Sequence, residues 1–309
     1  MPFSANFELP SPTGATLRIY RQQAENEPRG VIQINHGLAE HGARYARFAD
    51  AMAAEGFHVY AHDHRGHGRT TAPDAQIGHF GTEPAWNKVL GDVDAVHDLI
   101  ARDHPGLPVI VFGHSMGGLI ALNYLFEHSD RIAGAAIWNA NFSAGASGRA
   151  AQAILAWERF RLGSDVPSRI LPKLTFQGWG KQMKNARTAF DWLSRDEAEV
   201  AKYVADPLCG FDVSVATWRT VFDFIFNGAE DSSFAGINRD LPVCLVGGEK
   251  DPATDGGKAV RKLTARMQAM GFSNLQSTIY ADTRHESLNE VNRDMITAAF
   301  AEWAKRVVA

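Results

Sequence analysis

Short runs of apolar, mostly β-branched residues alternate with longer segments of helical periodicity through most of this chain. The strand-like runs are Gly30–Asn35, His58–His62, Val109–Phe112, Ile132–Trp138, Pro242–Val246 and Leu275–Tyr280. The helix-like segments are Tyr45–Glu55, Trp86–Arg102, Met116–His128, Gly257–Met270 and Asn292–Val308. Strands alternating with helices indicate βαβ units, and continuous apolar strands are typical of a parallel sheet covered on both faces. The sequence therefore predicts an α/β protein.

Two segments depart from this alternation. Phe3–Leu9 and Thr16–Arg21 flank turn residues and predict an antiparallel hairpin at the sheet edge. Between residues 141 and 238 strand runs are absent and helical patterns dominate, with four of the seven tryptophans. We expect this segment to be a helical cap inserted after the sixth strand, with residues 1–140 and 239–309 forming the core. Its aromatic residues could also be ordinary core, because aromatics at helical spacing usually pack together.

Charge and cysteine content exclude several function classes. Lys and Arg number 31 against 35 Asp and Glu, a formal net charge of −4, which offers no basic surface for nucleic acid. Cys209 and Cys244 form no CxxC pair, so the spacing supports neither a thiolate metal site nor a disulfide. Neither a secretory signal nor an apolar run of about 18–20 residues is evident. We expect a cytoplasmic protein without metal or other cofactor, and the sequence leaves its oligomeric state open.

The segment Gly113-His114-Ser115-Met116-Gly117 matches the G-x-S-x-G pattern. A strand-like run precedes it and a helix-like segment follows, which is the context in which this pattern forms a nucleophile elbow. Such a turn strains the serine backbone, and its glycines leave room for neighbouring backbone. We therefore predict that Ser115 is a nucleophile, placed where the N–H groups of a helix N-terminus favour negative charge.

A serine nucleophile requires a histidine base and a carboxylate that orients the histidine. His285 lies between the last strand and the closing helix, at the carboxyl edge of the predicted sheet. Asp251 follows the preceding strand at the same edge, and Pro252 after it marks a turn. Asp255 is the competing carboxylate, but its position fits a helix N-cap. We predict Ser115, Asp251 and His285 as the catalytic residues.

An acyl-transfer site also needs donors for the oxyanion that forms during the reaction. The N–H of Met116, directly after the serine, is one candidate. The loop Asn35–Gly42 follows an early central strand and contains His36-Gly37, which would turn tightly and direct the N–H of Leu38 at the substrate. We predict the other polar side chains of this loop to be structural.

The histidine-rich run His62–His67 resembles no zinc motif in its spacing, and Arg65 within it would oppose a cation. We interpret this run as a structural loop after a strand.

The motifs in chain order resemble those of the α/β-hydrolase superfamily, and more narrowly those of its monoacylglycerol lipase, lysophospholipase and serine aminopeptidase group. They are HGLAEHGARY (36–45), AHDHRGHGRT (61–70), GHSMGG (113–118), GGEKDP (247–252) and RHESLNE (284–290). The resemblance implies a mostly parallel eight-stranded sheet flanked by helices, with a helical cap that shapes an acyl pocket. It also implies the Ser115–His285–Asp251 triad, with Leu38 and Met116 as oxyanion donors.

We therefore expect a serine hydrolase of carboxylic esters, with a monoacylglycerol or lysophospholipid-like substrate. Exposed apolar residues on the cap would also permit a transient contact with a membrane surface. A serine peptidase of the aminopeptidase type remains an alternative. It would need cap acids to hold the substrate ammonium, for which the candidates are Glu158, Asp165, Asp191, Asp196, Glu197 and Glu199. Two further alternatives are a cofactor-free haloperoxidase or carbon–carbon bond hydrolase, and a non-catalytic binding protein on the same fold.

Overall fold

The computed structural model describes residues 2–82, 84–143 and 145–309. Its strands are β1 (Ala5–Pro10), β2 (Thr16–Gln22), β3 (Gly30–Asn35), β4 (Phe57–His62), β5 (Val109–His114), β6 (Gly134–Trp138), β7 (Val243–Gly248) and β8 (Leu275–Tyr280). They form one eight-stranded sheet in the order β1-β2-β4-β3-β5-β6-β7-β8. Only the β1–β2 and β2–β4 pairs are antiparallel within the described residues. The predicted fold class and edge hairpin are confirmed.

Helices cover both faces of this sheet. The described helices are α1 (Ala46–Ala54), α2 (Ala85–Asp103), α3 (Met116–His128), α4 (Gly145–Leu162), α5 (Leu171–Leu174), α6 (Phe176–Gln182), α7 (Glu197–Ala205), α8 (Val215–Ala229), α9 (Lys258–Ala269) and α10 (Arg293–Val307). Of these, α1, α2, α3, α9 and α10 pack on the sheet. Successive strand side chains point to opposite faces, so Phe112 packs with Phe48 of α1 and Phe300 of α10. Val111 belongs to the other core, which includes Val93 of α2 and residues of α3 and α9. The central strands are therefore buried on both faces, which explains their continuous apolar sequence.

The segment between β6 and β7 carries α4 to α8, which we call the insert. Part of α8 joins the core on the α3 side, where Phe224 stacks on Trp86 at a ring-centroid distance of 4.2 Å. Other insert residues form clusters of their own, one of them around Leu155 and Trp218. The insert is thus anchored to the sheet layer through α8. Among the helices described, none is both long and apolar enough to cross a bilayer.

Candidate active site

Ser115 lies at the turn between β5 and α3. Its backbone has φ 56° and ψ −119°, a conformation that costs a non-glycine residue about 1–3 kcal/mol. A Cβ on Gly113 would lie 2.1 Å from the Gly117 carbonyl oxygen, and one on Gly117 would lie 2.0 Å from that of Asn35. The expectation that these glycines admit neighbouring backbone is confirmed. The turn is further held by the Ser115 N–H, which donates to the Trp138 carbonyl at 2.8 Å.

His285 and Asp251 form a hydrogen-bonded line with Ser115. The His285 Nε2 atom lies 2.9 Å from Ser115 Oγ, and its Nδ1 atom lies 2.9 Å from Asp251 Oδ1. A carboxylate only accepts hydrogen bonds, so Nδ1 carries the proton and Nε2 presents a lone pair to the hydroxyl. Asp251 follows β7 and His285 follows β8, and parallel strands end at the same sheet edge. The structure therefore brings the three predicted residues together.

The Asp251 carboxylate is fully buried and surrounded by donors. Besides His285, it accepts from the Ala253 N–H at 2.9 Å, the Thr254 hydroxyl at 2.8 Å and the Asn139 amide at 3.1 Å. Burial alone would raise the pKa of Asp251, but the nearby His285 and these hydrogen bonds hold its pKa below the ordinary value. The group is therefore an anion at neutral pH, able to fix the tautomer of His285.

Asn139 was not identified from the sequence. It follows β6 in a left-handed conformation with φ 50°, and its Oδ1 accepts from the Ser287 hydroxyl at 3.0 Å. Its amide therefore links Asp251 to the loop that carries His285. This role is visible only in the structure, because Asn139 lies more than 100 positions away from both Asp251 and Ser287 along the chain.

Asp255 lies away from this line. Its side chain is 74% exposed and pairs with Lys258 at 3.1 Å. The expectation that Asp255 is a helix N-cap is wrong, because α9 begins at Lys258 and its N-cap residue is Gly257. Asp255 instead adopts a left-handed turn conformation with φ 52°.

The loop after β3 is held by its own side chains. The Gly37 N–H donates to Glu40 Oε1 at 2.6 Å, and His36 Nδ1 donates to the Gly37 carbonyl at 2.7 Å. His36 Nε2 accepts from the His64 N–H at 2.9 Å, and burial lowers the pKa of His36 well below its usual value. The imidazole is therefore neutral, with a fixed tautomer. The side chains of His36 and Glu40 therefore hold this loop in place, as the sequence indicated.

Leu38 and Met116, the predicted oxyanion donors, line the same cavity as Ser115. Met116 is the first residue of α3, and the first N–H groups of a helix have no acceptor within it. Both residues are therefore placed near the serine. Their donation to a substrate oxygen stays a prediction.

A cavity of about 480 Å³ opens above Ser115 between the sheet edge and the insert. This volume is within the range of about 300–1,000 Å³ that is typical of small-molecule sites. Much of its wall comes from apolar insert residues, among them Leu171, Phe176, Trp179, Trp218, Val221 and Ile225. Polar groups are contributed by Asn139, Asn141, Ser143 and Ser147. None of the described residues that line the cavity carries a charge.

Comparison with known proteins places this chain in a family. Residues 26–292 match the family Hydrolase_4, described as serine aminopeptidase, S33. The chain belongs to the S33 family. The match covers β3 to β8 and the insert, but not the edge strands β1 and β2.

Relatives of this S33-family chain include lipases. It is 41% identical over 100 residues to the monoacylglycerol lipase of Mycolicibacterium smegmatis, which covers 32% of this chain and 34% of the relative. It is 30% identical over 181 residues to the monoglyceride lipase of Homo sapiens, covering 59% of this chain and 52% of the relative. The matched segments thus span about a third to a half of these two curated relatives. A solved structure, "Lipase (Open form)", is 26% identical, covers 98% of this chain and 99% of its own, and superposes with a TM-score of 0.83.

The insert acids of this S33-family chain do not line the cavity above Ser115. Glu158 is fully buried and accepts from the Ser168 hydroxyl at 2.6 Å and the Arg169 N–H at 2.8 Å. Asp196 caps α7 and Glu199 pairs with Arg47 of α1 at 3.0 Å. The other candidates are Asp165, Asp191 and Glu197, which also lie outside the described cavity wall.

Among the described residues, one group of side chains has potential metal-ligand atoms close together. Ligand atoms of His41, Asp206 and Cys209 lie within 4.8 Å of one another. His41 Nε2 lies 2.9 Å from Asp206 Oδ2, and a hydrogen bond between the loop after β3 and the insert explains their proximity without a metal ion. Cys209 and Cys244 are both free thiols. The absence of a cofactor requirement stays a prediction.

The histidine-rich run folds as a hydrogen-bonded loop in this family member. The Asp63 carboxylate accepts from the N–H groups of Gly42 and Arg69, each at 2.8 Å. Arg65 is buried and pairs with Asp92 of α2 at 2.7 Å. The interpretation of this run as structural agrees with these contacts.

Proposed function

We propose that this protein is a serine hydrolase of neutral carboxylic esters, with monoacylglycerols as the substrate class. The observation that carries the proposal is the 2.9 Å contact between Ser115 Oγ and His285 Nε2, at the base of a cavity whose described wall is uncharged. The two relatives, a monoacylglycerol lipase and a monoglyceride lipase, support the same substrate class.

The reaction follows from the protonation states of the three side chains. His285 Nε2 takes the Ser115 proton while Oγ attacks the ester carbonyl, and Asp251 stabilises the imidazolium that results. The N–H groups of Leu38 and Met116 hold the oxyanion. The imidazolium then protonates the leaving alcohol, which leaves an acyl-serine. A water molecule, deprotonated by His285, releases the acid and restores the serine.

The cavity favours an uncharged substrate. A charged headgroup placed against an uncharged wall loses hydration without gaining a partner, which is unfavourable. A glycerol hydroxyl needs only hydrogen bonds, which Asn141, Ser143 and Ser147 are placed to provide. Monoacylglycerol is therefore favoured over a lysophospholipid of equal chain length.

The alternative activities find less support. An aminopeptidase needs an anionic group for the substrate ammonium, and the described cavity wall has none. Binding without catalysis does not require a strained serine in hydrogen-bond contact with a histidine, so this geometry argues against a non-catalytic protein. A haloperoxidase or carbon–carbon bond hydrolase would use the same three side chains, so only substrate tests separate it from an esterase.

A substrate panel tests the proposal. The purified protein is assayed with monoacylglycerols from C8 to C18, lysophosphatidylcholine, p-nitrophenyl esters and aminoacyl anilides, with Ser115→Ala as the control. We expect kcat/KM to be highest for monoacylglycerols and negligible for anilides. Anilide cleavage without ester cleavage would favour the peptidase. Failure of a fluorophosphonate to label Ser115 would favour a non-catalytic protein.

The insert is also proposed to contact membrane surfaces transiently. Trp157 and Phe160 of α4 are 53% and 88% exposed, and Leu174 of α5 is 57% exposed. Apolar side chains presented in this way can enter the headgroup boundary of a bilayer. We expect co-sedimentation with phosphatidylcholine vesicles to fall in Phe160→Ser, while hydrolysis of a soluble short-chain ester stays unchanged. Equal sedimentation of both proteins would contradict this contact.

A further inference from the structure

His114, the residue before the serine, bridges two loops on which the proposed reaction depends. It is buried, and its Nε2 lies 2.9 Å from the backbone carbonyl of His285. A carbonyl only accepts, so Nε2 carries a proton and donates it. The two imidazole rings lie 4.9 Å apart. His114, the residue next to Ser115, therefore holds the His285 backbone in place through this hydrogen bond.

The other ring nitrogen faces the oxyanion loop. His114 Nδ1 lies 3.6 Å from Glu40 Oε1, within ion-pair range. The same oxygen accepts the Gly37 N–H at 2.6 Å, and Gly37 directly precedes Leu38. A Cβ on Gly37 would lie 2.7 Å from this oxygen and 3.4 Å from His114 Nδ1, so the junction is tightly packed. His114 and Glu40 thus connect the His285 backbone to the loop that supplies an oxyanion donor.

The surroundings favour an imidazolium at this junction. Burial alone would lower the pKa of His114, but the Glu40 carboxylate outweighs it and, together with the hydrogen bond to the His285 carbonyl and the charge of Glu286, raises the pKa. The pKa of Glu40 lies well below its usual value despite burial, because Arg44 and His114 stabilise the anion. Arg44 also pairs with Glu286 at 2.7 Å. Other charged or titratable groups around this junction are His36, Tyr45, Arg47, Tyr203, Cys209 and His285.

We infer that His114 is a positioning residue for hydrolysis: its imidazolium, paired with Glu40, sets the distance between the His285 loop and the oxyanion loop. This inference rests on the proposed ester hydrolysis. A purely structural role would affect stability alone, whereas positioning affects kcat and its dependence on pH. Displacements of about 1 Å near a reacting group can reduce rates about 100-fold.

Three variants test this role. His114→Leu removes both contacts, and we expect kcat to fall about 10- to 100-fold with KM within threefold of wild type. His114→Gln keeps an N–H for the His285 carbonyl, so we expect it to recover at least tenfold over the leucine variant. Glu40→Gln keeps an acceptor for the Gly37 N–H but loses the charge. His128→Gln, at the far end of α3, is the matched control and should leave kcat unchanged.

The pH profile is the readout that a structural role would not change. Above the raised pKa of His114 the Nδ1 proton is lost and a lone pair faces Glu40, so wild-type kcat should fall on the alkaline side. The fall should disappear in His114→Gln and move to lower pH in Glu40→Gln. A fall at the wild-type pH in both variants overturns the inference, as does a folded His114→Leu protein with kcat within twofold of wild type. If His114→Leu does not fold, the pH profiles of His114→Gln and Glu40→Gln alone decide whether His114 is a positioning residue.

Failure of this inference and failure of the proposed function give different results. If the wild-type protein hydrolyses no ester, the proposed function is wrong and the role of His114 falls with it. If it hydrolyses esters and the variants match wild type in kcat and pH profile, only the role of His114 is wrong.

Discussion

Conformational strain at one residue and close backbone contacts around it place the candidate nucleophile. Ser115 adopts a positive φ because it joins a buried strand to a helix within a single residue. Gly113 and Gly117 permit backbone approaches that any Cβ would block. These features expose the hydroxyl to His285 while the backbone N–H groups of α3 remain available. The strain is therefore tied to the geometry that the reaction needs.

Ser115→Ala and His285→Ala should each reduce kcat by roughly 10³- to 10⁶-fold, because neither group acts without the other. The double variant should be no slower than the slower single variant. Steady-state hydrolysis of a monoacylglycerol, with thermal unfolding to verify the fold, measures these rates. A double variant much slower than either single variant would mean that the two residues act independently, contrary to the 2.9 Å contact.

Two aspartates four positions apart offer a matched pair. Asp251→Asn should lower kcat roughly 10²- to 10⁴-fold, because an amide does not stabilise the His285 imidazolium as a carboxylate does. Asp255→Asn should leave kcat within twofold, because that side chain is 74% exposed and faces Lys258. Parallel measurement of kcat on one ester compares them. Similar losses in both variants would refute the assignment of Asp251.

At the scale of elements, the sequence predicts the sheet better than the insert. The bounds of β3 and β8 are as predicted, although β3 is buried along its whole length whereas β8 is a partly exposed edge strand. The predicted strand Val109–Phe112 stops two residues short of β5, since Gly113 and His114 do not resemble buried strand residues. The triad could be predicted because each member follows a strand at one edge. The link between His114 and Glu40 could not, because it depends on the packing of loops distant in sequence.

Helix α4 offers a test of the cavity wall. Ile154 lines the cavity, whereas its neighbour Ala153 is exposed. Ile154→Trp should fill part of the volume and shift the preferred acyl chain to shorter lengths, while hydrolysis of a p-nitrophenyl acetate stays within threefold. Ala153→Trp adds a tryptophan to the same helix and should leave the chain-length preference unchanged. Hydrolysis rates over p-nitrophenyl esters from C2 to C16 measure the chain-length preference. If Ile154→Trp and wild type show the same preference, the acyl chain binds elsewhere.

At the scale of the whole molecule, four buried histidines predict a loss of stability in acid. His62 and His67 are fully buried, and burial lowers the pKa of each to about 4. Burial also lowers the pKa of His36 and His64 well below the usual value. The ring centroids of His36 and His64 lie 4.5 Å apart, and those of His36 and His67 lie 5.3 Å apart. The cluster packs beneath the oxyanion loop, so protonation there would act on both fold and site.

The sign of the acid effect follows from proton binding. The unfolded chain protonates these histidines near pH 6.5, whereas the folded protein resists protonation until about pH 4 for His62 and His67. The stability that these histidines contribute is therefore fully present above about pH 6.5, and it is lost as the pH falls from there toward 4. The shift of each of these two histidines should lower the free energy of unfolding by roughly 2 kcal/mol at pH 5. Urea unfolding at pH 7.5 and pH 5 measures the loss without depending on activity.

His67→Gln separates this cluster from carboxylates that also titrate in acid. The glutamine cannot be protonated and retains a donor for the Arg65 carbonyl, which His67 Nδ1 contacts at 3.1 Å. The variant should lose roughly 2 kcal/mol less than wild type between pH 7.5 and pH 5. His128→Gln, at a partly exposed site, should lose as much as wild type. If His67→Gln and wild type lose the same free energy, the buried histidines do not control acid stability and the carboxylates must account for it.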